Sequence, residues 1–480
     1  MDHLVGVLMQ LTGHEVLKFD SFLPIYNWIY PLAGKPSGRY AGSNAVGVFD
    51  EIAKSRSRAL YFHVPFCETI CSFCPFVRGK FRDSSLIDVY VDALLREIEL
   101  KSKYRGLTDS PVGAIFFGGG TPSLLSPRHV QRIGEALSSC FDLSMLREFS
   151  FEFEVKSVNA DLIESLLDIG VTHARFGLQT LSPKYRELFS LTATENQVRS
   201  AAHLLGSAFP HVSCDLLYGM NGQSEEELFD DLQGVLELGV PNIDCYPINN
   251  LMTQPRLHRA FREIGAAPTS GLTKFYMNLL VREVMREGGY LPHNGHGYVR
   301  CDAGEVARDP VVTDTYSFVY HEHVLGYPGF DLLGFGTNAV SSFDKFVVFN
   351  PSGREQYVRQ MMDGQLSVRV NEHGSEIDAC RPLALALPYH GSADREDIDW
   401  RRVPELIQLR LAELERHGLV ESGKNTISLT RLGWEWYTSV MYYLQPIEEQ
   451  RAIREIVRTG LRDSRRDIEP LIIDPVLTVP

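Results

Sequence analysis

The run EFSFEFEV, residues 148–155, alternates apolar and polar side chains along its whole length. A β-strand sends successive side chains to opposite faces. Phe149, Phe151 and Phe153 therefore share one face, and Glu148, Ser150, Glu152 and Glu154 share the other. The helical pattern NADLIESLLDIG follows at once, so the apolar face has a helix to pack on and the carboxylates must look inward. The same rhythm extends in both directions. Upstream lie ALYFHVPF with SSLIDVYVDALLREIELKSKY, then GAIFFGGG with SPRHVQRIGEALSSCF. Downstream lie THARFGLQ with ENQVRSAAHLLGSAF, CDLLYG with SEEELFDDLQGVLELG, and NIDCYPIN. Ser126 before Pro127, Asn159 before Ala160 and Ser182 before Pro183 are sound helix caps. Strands alternating with helices require a parallel sheet. Eight such units close a TIM barrel, and six predict a partial, open (β/α)6 TIM-like barrel of the α/β class.

Inside an ordinary barrel of this kind branched aliphatic side chains fill the space. Here Glu152, Glu154, Arg175 and Gln179 face inward, which calls for a chamber holding a polar ligand. A buried ion pair between Glu152 and Arg175 is the alternative, while Glu154 and Gln179 stand at strand ends where ligands bind. After residue 250 the pattern loosens. A helix near 270–287 leads to LPHNGHGYVR and then to GYPGFDLLGFGTNAVSSF (326–343). Near 380 a helix, a short turn and the strand Ile427–Thr430 suggest a small winged-helix-like module. The expected divisions are an N-terminal extension over 1–57, a barrel core over 58–345 and a C-terminal module over 346–480.

Composition sets the outer limits. The 480 residues are 44% hydrophobic and 22% charged, the balance of a globular protein. No run of 18 apolar residues occurs, and the N-terminus lacks a basic signal-peptide region, so neither a membrane nor export is expected. A net charge of −14, with arginines 401, 402, 410 and 416 interleaved with acids, argues against nucleic acid. Of eight cysteines, three are clustered and five scattered, the pattern of a reducing cytoplasm with one metal site.

The cluster is YFHVPFCETICSFCPF, residues 61–76, with Cys67, Cys71 and Cys74 on one loop directly after a strand. Zinc sites take four protein ligands, usually from two knuckles, and no second pair has that spacing here. An iron–sulfur cluster normally takes four cysteines. Three would leave one iron open to a ligand. The second strand ends in FFGGGTPS (116–123), whose glycines let backbone approach a ligand closely.

The cysteine loop, with Phe73 before its last cysteine, together with GGGTP resembles the radical S-adenosylmethionine (SAM) superfamily. Within it, YFHVPFC, FGGGTPS, FEV, FGLQTL, CDLLYG and DLLGFGTNAVS look like the oxygen-independent coproporphyrinogen III oxidase (HemN-like) family, in collinear order from about residue 59 to 345. The resemblance implies a [4Fe–4S] cluster on Cys67, Cys71 and Cys74, with SAM on the open iron. It also implies two SAM molecules. Tyr61, Gly119, Glu154 and Val340 would contact the cluster-bound one. Phe73, Gly120, Thr121, Gln179, Asp215 and Asn250 would surround the second, with an ion pair in the barrel as the plainer role for Asp215. A flavodoxin or ferredoxin would supply electrons.

Three departures bear on function. Cys74 is followed by Pro75-Phe76, where these oxidases carry a further cysteine. Leu191 stands where they place an arginine for a SAM carboxylate, with Arg186 and Arg175 as substitutes to consider. Asn221 follows Met220, where proline is usual. All three lie toward the second SAM and the substrate. They favour a class C radical SAM methyltransferase or cyclopropanase acting on an sp² carbon of an aromatic or heteroaromatic small molecule, in specialised metabolism. Coproporphyrinogen oxidation and haem carriage by a chaperone of the same fold are the rival readings. Tyr246, His293 and His296 are the candidate catalytic residues, with Asn249 and Tyr327 beside the substrate. Each has a plain structural role as its alternative.

Overall fold

The computed structural model describes residues 30–76, 79–80, 83–316 and 318–468. Most of the expected N-terminal extension lies outside them. The six expected strands are β1 (Ser57–Val64), β2 (Val112–Gly119), β3 (Glu148–Phe153), β4 (His173–Gln179), β5 (His211–Tyr218) and β6 (Asn242–Pro247). They pair in that order, all parallel. The helices between them are α1 (Ser85–Lys101), α2 (Pro127–Cys140), α3 (Ala160–Asp168), α4 (Pro183–Phe189), α5 (Glu195–Ala208) and α6 (Glu225–Glu237).

Caps explain where several helices begin. Ser126 forms a reciprocal capping box with His129, and Asn159 accepts from the Leu162 N–H. Thr194 and Ser224 make two more such boxes. Ser182 corrects the expectation, for its side chain caps nothing. The Asp231 carboxylate serves instead, accepting from the N–H groups of Leu181 at 2.6 Å and Ser182 at 3.2 Å.

The parallel set has a seventh member. After α7 (Pro255–Glu263), α8 (Gly271–Glu287), β7 (Tyr290–Pro292), β8 (Gly297–Arg300) and α9 (Val319–Val324) comes β9 (Phe330–Phe335). It pairs parallel with β1 from Phe330 opposite Ser57 to Phe335 opposite Phe62. Its connection from β8 is long and mostly irregular, so no βα rhythm announces it. Antiparallel strands extend the sheet on both sides: β8 and β7 beyond β6, and β10 (Val340–Phe343), β11 (Phe346–Phe349) and β12 (Arg369–Glu372) beyond β9. Residue 345 lies in the turn between β10 and β11, so the sheet runs on past that position.

One face of the sheet carries Leu60, Phe62, Phe117, Phe149, Phe151, Phe153 and Phe176, which merge with the apolar stripes of α1, α2 and α3 into the main core. Each fully buried side chain of this size stabilises the fold by roughly 1.5–3 kcal/mol. A second core belongs to the C-terminal residues. It joins Ile407, Leu411 and Leu414 of a helix (Glu405–Arg416) to Ile427 and Leu429 of a three-stranded sheet, and packs on Phe275 and Leu279 of α8. A helix and a small antiparallel sheet thus share this second core. Among the described residues no helix is long and apolar enough to cross a membrane.

Candidate functional site

The other face of the sheet is the inner one. Tyr61 of β1 and Phe116 of β2 stack there, and Tyr320 of α9 stacks on Phe116 with ring centroids 4.6 Å apart. Glu148 at the start of β3 accepts from the Ser150 hydroxyl at 2.6 Å and the Tyr320 N–H at 3.1 Å, so it pins α9 inside the sheet. Burial pushes Glu148 and Glu152 up to about 7. Arg175 does not pair with Glu152, its neighbour in the register. Its guanidinium reaches across two strands to Asp244, contacts Asp215 at 3.4 Å and lies over the Phe318 ring. Asp215 thus takes the ion-pair role that was its plainer alternative. It still keeps a quarter of its side chain accessible.

The cysteine loop starts at the two-residue strand Phe66–Cys67, paired with Gly79–Lys80. Ser72 fixes its far end, donating from its N–H to Phe189 O at 3.1 Å and from its hydroxyl to Leu188 O at 2.7 Å. Gln254, at the start of α7, donates to Cys71 O at 2.9 Å, and Arg256 donates to Ile70 O. The ends of α4 and α7 therefore hold Cys71 and Cys74 half-buried beside buried Cys67. The turn Gly118–Thr121 lies against this loop. Gly120 N donates to Val64 O at 2.9 Å, and a Cβ on Gly120 would meet Val64 O at 2.5 Å and Phe66 O at 2.7 Å. Gly119 has φ +105°, and its missing Cβ leaves room for the His63 imidazole, which bonds the Tyr61 hydroxyl at 3.0 Å. Thr121 is buried behind it.

Glu154 ends β3. Its N–H donates to the Ser123 hydroxyl and its carboxylate accepts from Lys156 N–H at 3.0 Å. Gln179 ends β4 with φ +70°, a left-handed conformation rare for a residue with a side chain, at a β-bulge against β5. Val340 starts β10, its carbonyl close to Gly334, which pairs with Tyr61. The fold thus brings Tyr61, Gly119 and Val340 to one end of the sheet. Phe73, Leu191 and Tyr246 meet in a separate apolar group with Phe189, Met220 and Ile248. Neither proposed substitute for the missing arginine is available. Arg186 is taken by the carbonyls of Thr180 and Ala193, and Arg175 by its two aspartates.

Beyond β6 the candidate catalytic residues assemble. Tyr246 packs on His296 with ring centroids 4.1 Å apart, and Tyr389 donates to or accepts from His296 Nε2 at 2.6 Å. The same hydroxyl lies 3.3 Å from His321 Nδ1. His293 bonds the Asn294 amide at 3.0 Å and meets Tyr316 edge-on. Burial pushes His293 down to about 3 and His296 and His321 well below the usual range, so these imidazoles are neutral at pH 7. No motif in the sequence marks His321, on the short helix α9, or Tyr389, in the C-terminal residues. Tyr327 meets His390 edge-on further out and packs against the C-terminal core. Asn249 caps its own turn through Leu251 N–H.

Residues 61–233 match the model of the radical SAM superfamily. These residues are similar to a radical SAM domain. The chain is 25% identical to an anaerobilin synthase of Escherichia coli O157:H7 over 414 residues, 83% of this chain and 86% of that one. It is 24% identical to an oxygen-independent coproporphyrinogen III oxidase of Cereibacter sphaeroides, covering 72% and 76% of the two chains. It is 30% identical to the heme chaperone HemW of Lactococcus lactis over 194 residues, 40% of this chain and 49% of that one. The solved coproporphyrinogen III oxidase (HemN) of Escherichia coli superposes with a TM-score of 0.70 at 21% identity, covering 90% and 99% of the chains, a likeness of fold.

Radical SAM domains use a [4Fe–4S] cluster with SAM. The donor set fits that group. Cys67, Cys71 and Cys74 share one anchored loop, whereas Cys214 and Cys245 lie in the outer core and Cys380 in the C-terminal core. Three soft thiolates beside a glycine turn suit a cluster with one iron left for a further ligand.

Proposed function

We propose that this radical SAM enzyme transfers a one-carbon unit, methyl or methylene, to an sp² carbon of an aromatic or heteroaromatic small molecule, with two SAM molecules in its chamber. When bound and reduced, the cluster supplies reductive cleavage of SAM and so the power to abstract a hydrogen atom. The chain's residues hold and orient. Cys67, Cys71 and Cys74 carry the cluster. Tyr61, Gly119, Glu154 and Val340 flank the first SAM, and Phe73, Gly120, Thr121, Gln179, Asp215 and Asn250 the second. Tyr246, His293 and His296 face the substrate, and the aromatic wall of Phe116, Phe318 and Tyr320 keeps water out. A flavodoxin or ferredoxin is the fitting reductant.

One observation carries this reading: the inner-face guanidinium of Arg175 is neutralised, and leucine stands at position 191. Arg175 is neutralised by Asp215 and Asp244, the buried histidines are neutral, and Leu191 sits in an apolar group. Such a lining suits an uncharged ring better than a porphyrinogen bearing several carboxylates. The relatives named coproporphyrinogen III oxidase favour that second reading. SAM deuterated on its methyl group separates the two. Deuterium appearing in 5′-deoxyadenosine during anaerobic turnover supports one-carbon transfer. Its absence during turnover of coproporphyrinogen III would establish the oxidase, and stoichiometric haem binding without any SAM-dependent product would establish a carrier.

A further inference from the structure

A cavity of about 490 Å³ borders the strand that enters the cysteine loop, lined among others by Pro65, Gly79, Thr337, Arg354, Glu355 and Arg359. Pro65 directly precedes the pair Phe66–Cys67, and the register sets Gly79 opposite Phe66 and Lys80 opposite Cys67. The wall of the cavity is therefore the same backbone that carries the first of the three clustered cysteines.

Its charges are unbalanced. Arg354 is half-buried, and its guanidinium lies over the Phe66 ring, 5.0 Å from the centroid. It passes Gly79 so closely that a Cβ there would stand 3.1 Å from Nη1. Arg359 and Lys80 are exposed. None of these three meets a carboxylate among the described residues. Glu355 is the acid that shares the lining, so positive charge is in surplus here, in a chain whose net charge is −14. The helix Arg354–Met362 presents both arginines and is fixed from behind: buried Tyr357 donates to Glu97 at 2.7 Å, and Met361 joins the main core. Between Cys74 and Gly79 in the chain, Phe76 is 49% exposed, an aromatic of the kind enriched in protein interfaces.

We propose that this basic cavity is the docking site of an acidic one-electron carrier protein, of the flavodoxin or ferredoxin class. Reductive cleavage of SAM needs an electron from outside the chain, and its carrier has to approach the cysteine loop. A chain of net −14 repels an acidic partner over most of its surface, so a local excess of positive charge beside the cysteines selects both the partner and its place. In each encounter one electron leaves the carrier, a flavin hydroquinone becoming the semiquinone, and the cluster is reduced by that electron; no proton moves. That the partner carries electrons rests on the radical SAM reading above; that it is acidic rests on the charges alone.

The test is calorimetric titration of the cluster-reconstituted protein with oxidised flavodoxin and, separately, with an oxidised plant-type ferredoxin. At least one should bind, and more weakly as salt is raised. Arg359→Glu, Lys80→Glu and Arg354→Gln should each raise the dissociation constant by about fivefold to tenfold. Thermal melting reports whether each variant folds, and Arg359→Glu changes an exposed side chain that does not touch the cysteine loop. Dithionite reduces a cluster without docking. With it, 5′-deoxyadenosine should form from SAM equally fast in Arg359→Glu and in the unmodified protein, while formation driven by the reduced carrier falls in the variant. Equal losses with both reductants would overturn the proposal by giving Arg359 a structural role. Unchanged affinity for the carrier in both Arg359→Glu and Lys80→Glu would also overturn it, as would failure of both carriers to bind. No 5′-deoxyadenosine from the unmodified protein with dithionite would overturn the radical SAM reading instead, and the titrations then decide the surface on their own.

Discussion

At the scale of single residues, Gln179 holds the least comfortable backbone near the site. Its φ of +70° lies in the left-handed region, which costs a residue with a Cβ about 1–2 kcal/mol. Its side chain folds back over Gly177, where a Cβ would meet the Gln179 amide nitrogen at 2.3 Å. Strain of this kind persists only where the surroundings impose it. Gln179→Gly should therefore melt at the same temperature or higher and yet bind S-adenosylhomocysteine more weakly. A lower melting temperature would mean that the side chain serves the fold. Arg175 teaches a related lesson. Its place on the inner face was legible from alternation, but its partner was not. Glu152 is its register neighbour, while the side chain is long enough to reach Asp244 two strands away.

At the scale of elements, the turn after β2 and the cysteine loop form one unit. Three glycines at a strand end suit close approach of a ligand. The structure adds an earlier reason: the backbone at Gly120 lies against the carbonyls of Val64 and Phe66, one residue short of Cys67. Backbone carbonyls cannot swing aside as a side chain can. Gly120→Ala should displace the start of the loop, and anaerobic reconstitution should then yield sharply less iron and sulfide per chain. Full cluster absorbance in that variant would show that the loop tolerates the shift. The C-terminal residues likewise reach the candidate site. A π-helical segment, Pro382–Ala386, leads directly into the turn that carries Tyr389 to His296. Irregular helical turns of this kind often re-aim a functional side chain.

At the scale of the whole molecule, the buried histidines set the response to acid. His173 and His293 are pushed down to about 3, and His323, His373 and His390 to about 4, in each case by burial first. In the unfolded chain such groups titrate near 6.5. Between the two values the unfolded chain takes up protons that the folded chain refuses. Stability is therefore present above pH ~6.5 and lost as pH falls below it, by about 1.4 kcal/mol per pH unit for each histidine. Glu148 and Glu152, raised to about 7, and Asp215, raised to about 6, act in the opposite sense, holding protons in the fold that the unfolded chain releases. The histidines outnumber them, so the melting temperature should drop between pH ~7 and ~5. His293→Gln should shrink that drop, and an equal drop would exclude His293 as a contributor. By itself the sequence determined the strand–helix order, the inner and outer faces, the cysteine loop and the glycine turn. Each of these is written in side chains a few positions apart, through periodicity, caps and motif spacing. Only the tertiary structure decided that β9 completes the parallel set, that Tyr389 reaches His296 across 93 residues, and that Asn250 pairs with Asn221 across 29. Those meetings depend on strand register and on the docking of one core against another, and no local pattern in the chain encodes them.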